Sequence, residues 1–235
     1  MGKLPKEQEA PAEQSAGPEL PPPEYAAAAD SAPDTPPPGY TPGPSPYQTV
    51  PISWNLYSKP YSRRAFHLGP HAAAPVYSLE LHTGLLSSRP FLVLRPGRDT
   101  TTTTKTSSSP PLATARRDAP RHTTITVVPG TSERLTVHAR RLTFSFDVGA
   151  DPRREAFEWR KEKRRWALVH LAAHGDAHPV VAVFAEDSSR SGTELARFRF
   201  VGAGATDAFG EPWALYVSMT ALRIWEMMLG AGTTV

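Results

Sequence analysis

The chain has 235 residues, a formal net charge of +3 and a pI near 9.3. It contains no cysteine, which excludes disulfides, thiolate nucleophiles and cysteine-ligated zinc. The charge is unevenly spread. Residues 1–50 carry two lysines against seven acids, so the remainder is a basic domain of formal charge +8.

Residues 1–48 are rich in Pro, Ala and Glu and nearly devoid of aliphatic side chains. Such a segment buries too little apolar area to offset its ordering entropy, which predicts a disordered acidic tail with local polyproline II character. The start, MGKLPKEQEA, has no apolar run and predicts no secretory signal. Lys6 stands where a myristoylation motif wants Ser or Thr. Two PPxY motifs lie in the tail, Pro22-Pro23-Glu24-Tyr25 and Pro37-Pro38-Gly39-Tyr40. A Pro-Pro step is already extended, so docking into an aromatic groove costs little entropy, and the tyrosine adds one large anchor. Pro22, Pro23, Tyr25, Pro37, Pro38 and Tyr40 are therefore the candidate WW-binding residues. Two motifs fifteen residues apart suit paired WW domains.

From Val50 the pattern changes to period two. Ile52, Trp54 and Leu56 alternate with Ser53, Asn55 and Tyr57; Tyr77, Leu79 and Leu81 alternate with Ser78, Glu80 and His82; Leu142, Phe144, Phe146 and Val148 alternate with Thr143, Ser145 and Asp147. This alternation marks half-buried strands. Further strands are predicted over 63–69, 90–95, 111–116, 122–128, 134–139, 155–161, 165–171, 179–186 and 193–200. About twelve strands with no long amphipathic helix between them argue against a βαβ fold and for an all-β barrel. Residues 99–109, DTTTTTKTSSS, read as a solvated loop.

The cluster Arg160, Lys161, Lys163, Arg164 and Arg165 surrounds a predicted hairpin whose strands carry Phe157, Trp159, Trp166 and Leu168. Arg197 and Arg199 alternate with Phe198 and Phe200 and share one outward face. These seven cations are candidates for an anionic headgroup, each contributing roughly 1 kcal/mol near an acidic bilayer. No aromatic platform is interleaved with them, so nucleic acid is not expected. His170, His174 and His178 have helical spacing, but Gly175, Asp176 and Pro179 predict a turn, so no metal site is expected. Gly202 and Gly204 lack the third glycine of a dinucleotide cradle, because Asp207 occupies its place. The chain carries no nucleophile elbow, zinc-protease, Walker or kinase signature. A non-enzymatic protein without a cofactor is the expectation.

Residues 212–229 are apolar on nearly every side of a helix, yet contain Arg223 and Glu226 at pairing distance. Charges so placed are costly in a bilayer, which predicts a buried core helix rather than a membrane span. Twelve strands followed by such a helix predict a closed barrel, residues 49–235, wrapped around its own C-terminus. Pro212 fits the first turn and Gly230 the C′ position.

The order of Pro-rich tail, strands, Phe157-Glu158-Trp159-Arg160, Trp166, a strand ending at Phe184, Arg197-Phe198-Arg199-Phe200 and a terminal apolar helix resembles the tubby C-terminal-like superfamily. That superfamily includes phospholipid scramblases and LURP-one-related proteins, and the late F-E-W-R segment is similar to that of fungal-type members. The resemblance implies a twelve-stranded barrel around a central helix and contact with phosphoinositide or other anionic phospholipid. No residue of a tubby phosphoinositide site is carried over, since none matches. The sequence thus leads to an expected cytoplasmic, peripherally membrane-associated adaptor that recruits WW-domain proteins such as a ubiquitin ligase. The alternatives are a lipid-handling protein of scramblase type and a transcriptional or nucleic-acid-binding factor.

Overall fold

The chain divides into two units, Met1–Gly43 and Pro44–Val235. The computed structural model describes the second of them, over residues 50–60, 62, 64–82, 89–97, 109–149, 151–171, 178–187 and 193–231. Both PPxY motifs, residues 99–108 of the threonine-rich loop and His174 lie outside the described residues.

Twelve strands follow one another: β1 (Ser53–Ser58), β2 (Ala65–Gly69), β3 (Tyr77–Leu81), β4 (Leu92–Pro96), β5 (Ala113–Ala119), β6 (His122–Val127), β7 (Thr131–His138), β8 (Arg141–Val148), β9 (Arg153–Glu162), β10 (Arg165–His170), β11 (Val180–Glu186) and β12 (Glu194–Phe200). Each pairs antiparallel with its sequence neighbours, and β1 pairs with β12 to close the barrel. Closure leaves no unpaired strand edge among them. The alternation read from the sequence sets the faces: Leu79, Leu142, Phe144, Trp159 and Phe198 lie inward and buried, while Glu80, Thr143 and Arg199 lie outward.

Two short 3-10 turns, Gly202–Ala205 and Asp207–Phe209, lead into α1 (Glu211–Ala231). Gly204 packs on β11 so closely that a Cβ there would lie 2.1 Å from the Val181 carbonyl oxygen. Its role is close approach, and no phosphate cradle forms. The helix fills the barrel. Trp54 of β1 donates to Ser218 at 3.3 Å, and Trp159 of β9 donates to Thr220 at 2.8 Å. Phe66 of β2 meets Trp225 edge-on at 4.7 Å, and Phe144 of β8 meets Tyr216 at 4.9 Å. Contacts from strands all round the ring require the helix to be central. Every residue from Leu215 to Trp225 is buried. Each large apolar side chain among them contributes roughly 1.5–3 kcal/mol.

The helix runs past its expected end. Gly230 is helical rather than a C′ residue, and Leu229 is 45 % exposed rather than part of the core. The last turn projects beyond the packed lumen, where side-chain identity matters less and a helical glycine costs only about 1 kcal/mol. No described helix is long and apolar enough to cross a membrane.

Candidate functional site: an arginine-lined hollow on the outer wall

The register of β10, β11, β12 and β1 builds the site. Arg165 faces Ala185, Ala185 faces Arg197, and Arg197 faces Asn55. In the next outward row Val183 faces Arg199, and Arg199 faces Ser53. Neighbouring strands lie about 4.8 Å apart, so Arg165 and Arg197 start about 10 Å apart across Ala185. Small floor residues between long cations leave a hollow of about 300 Å³ lined by Arg165, Arg197, Arg199, Ser53 and Asn55.

The three arginines differ in their engagement. Arg165 donates from Nε and Nη2 to Glu162 at 3.1 and 3.0 Å. Arg197 bonds Glu194 and lies 3.8 Å from Asp187, contacts that raise its pKa and keep it charged. Both side chains are 62 % exposed. Exposed pairs of this kind contribute little and exchange readily for a stronger anion. Arg199 is exposed and has no carboxylate partner among the described residues. Guanidinium groups present planar forks that match phosphate and carboxylate oxygens. Ser53 adds a hydroxyl, and Asn55 an amide that donates to Tyr57 Oη at 3.1 Å. The hollow can therefore hold an oxyanion between two or three forks.

The other four predicted cations are placed elsewhere. Arg160 is outward but committed to Glu158 at 2.6 Å, which Arg141 also approaches at 3.7 Å. Lys161 shares the inward register of Trp159 and sits over the Trp166 ring at 5.9 Å, at the barrel rim. Lys163 and Arg164 form the tip of the β9–β10 hairpin, next to a second hollow shared with Arg165 and Glu186. Lys163 has φ of 51°, a left-handed conformation that costs a lysine roughly 1–2 kcal/mol. The hairpin and β12 thus join only at Arg165.

Sequence reading missed Ser53 and Asn55. Both were recognised as outward residues of β1, but only barrel closure brings β1 beside β12. His170 lies at the end of β10, stacked on Phe157 at 4.9 Å and paired with Glu155. No group of three or more metal-ligating side chains occurs among the described residues. Comparisons with known protein families, with curated proteins and with solved structures find no match to this chain.

Proposed function

We propose that this protein is a non-enzymatic adaptor. Its barrel binds an anionic phospholipid headgroup at a membrane surface, and its PPxY motifs recruit WW-domain proteins, among them a ubiquitin ligase. The observation that carries the reading is the convergence of Arg165, Arg197 and Arg199 on one outward hollow, with Arg199 lacking a carboxylate partner among the described residues. A barrel closed around a helix like this one also supports kinship with the tubby-like and scramblase-like proteins that the sequence resembles.

The test is sedimentation with phosphatidylcholine vesicles, with and without a phosphoinositide. Arg199→Glu is expected to weaken binding by about tenfold, from roughly 1 kcal/mol for the lost cation plus the repulsion of the new acid. Arg116→Glu makes the same change of net charge at an exposed position on β5 and should bind as wild type. Binding should fall with salt. Equal sedimentation of Arg199→Glu and wild type at low salt overturns the lipid site. For the tail, a peptide spanning 20–42 should bind WW domains, and Tyr25→Ala with Tyr40→Ala should abolish binding. Unchanged binding by that double variant makes the motifs compositional.

A further inference from the structure

A second concavity, which shares no lining residue with the arginine hollow, lies on the outer face of β2 and β3. It measures about 440 Å³, within the size range of small-molecule sites. Its floor is made small by Ala65 and Ser78, and its wall is the connection 70–76, which folds back over the strands. That wall is fixed by the backbone. Val76 donates to Leu68 and Gly97 to Val76, both at 2.7 Å. A Cβ on Gly69 would lie 2.2 Å from the Ala74 carbonyl oxygen, and one on Gly97 would lie 2.6 Å from the Val76 carbonyl carbon. Only glycine at these two positions lets the wall approach, so the concavity is preformed.

Its two ends differ in charge. At one end stand Lys59 and Glu80. Glu80 is held by Arg95 at 3.4 Å and by His82 at 3.5 Å. Lys59 has no carboxylate partner among the described residues. With Arg95 and Glu80 cancelling, one positive charge remains there among the described residues that line the trough. The far end is apolar, bounded by Ala72, Pro75 and Pro96. His67 stacks on Tyr57 at 5.4 Å, and burial lowers its pKa, so it adds no cation at neutral pH. A preformed trough with one uncompensated cation at its mouth and an apolar far wall is complementary to one kind of molecule.

We infer that this trough binds a small amphiphilic carboxylate, its head at Lys59 and the Ser78 hydroxyl, its apolar body against the 70–76 wall. The site shares no lining residue with the arginine hollow.

The probe is decanoate, titrated into the full-length protein and followed by amide shifts at Ala65, His67 and Ser78. Saturable shifts at these residues are expected, with decanol binding about tenfold more weakly for want of the charge. Lys59→Glu should weaken decanoate by at least about tenfold. Ala73→Trp, on the exposed wall, should block decanoate and decanol alike while leaving the melting temperature unchanged. Arg199→Glu should change nothing. The inference fails if no saturable shifts occur at the trough or if decanol binds as tightly as decanoate. It also fails if Arg199→Glu abolishes binding while Lys59→Glu does not.

Discussion

Between Trp213 and Ser218 the central helix lies in an aromatic sleeve; from Arg223 to Glu226 it lies against charge. At the first end Trp213 packs on Phe157, Phe200 and Phe209 at 5.5, 5.6 and 4.5 Å, and Tyr216 packs on Phe144 and Phe146 at 4.9 and 5.0 Å. At the second, Glu226 bonds both Arg223 and Arg117, Arg223 donates to Thr123 at 3.3 Å, and both guanidinium groups lie over Phe91. Burial and the neighbouring Arg117 lower the Arg223 pKa to about 10, which still leaves the group charged at neutral pH. Apolar contact is non-directional and tolerates sliding or rotation. A two-armed ion pair tied to two strands does not. The sleeve supplies most of the burial, and the charges fix where the helix stops.

Four changes break or sharpen this contrast. Deleting 211–235 removes both kinds of contact and empties the lumen; no cooperative melting transition is expected, and calorimetry showing wild-type melting would reject the helix as core. Glu226→Ala leaves two arginines against an apolar ring and should cost about 3 kcal/mol, read from chemical denaturation. Replacing Arg223 and Glu226 together by Leu should recover most of that loss, because the only charge left without its carboxylate is Arg117, which is half-exposed. A double variant as unstable as Glu226→Ala would show that the charges do more than satisfy one another. The smallest effect belongs to the sleeve. The Tyr216 hydroxyl is fully buried with no hydrogen-bond partner among the described residues, so Tyr216→Phe should stabilise by about 1 kcal/mol. Burial also raises the Tyr216 and Tyr77 pKa values well above the usual tyrosine range. Above about pH 10 the unfolded chain loses these protons while the folded one keeps them, so stability falls as pH rises. Tyr216→Phe should flatten that alkaline decline; a slope identical to wild type would remove Tyr216 as its source.

The elements were legible because β3 and β8 alternate strictly, β1 does so up to a shift at Leu56/Tyr57, and α1 does not alternate at all. Each of the twelve predicted strands corresponds to an observed one. The site was legible only in part. Arg197 and Arg199 share a face by simple parity, and the same parity places Lys161 with Trp159 rather than with Arg165. What joins Arg199 to Ser53 is the pairing of strands separated by most of the domain, and local pattern carries no such information. The trough depends on Gly69 and Gly97, whose need for close approach appears only once the 70–76 connection folds back. The helix end was misread because Gly230 has the residue type of a C′ position but no structural requirement to act as one.

The pairing of β1 with β12 also dictates an order of events during synthesis. The strand that leaves the ribosome first must wait for the one made last, and the helix emerges later still. Domains commonly fold as units while the chain is being made. This domain cannot: until residue 200 is available its sheet is an open ribbon with two free edges and an apolar face, and until Trp225 follows, that face has nothing to enclose. The nascent domain therefore carries a sticky, unfinished sheet until its helix has been made. A stop codon or stall between the last strand and the helix yields a product with every strand and no core, a natural substrate for chaperones and proteases.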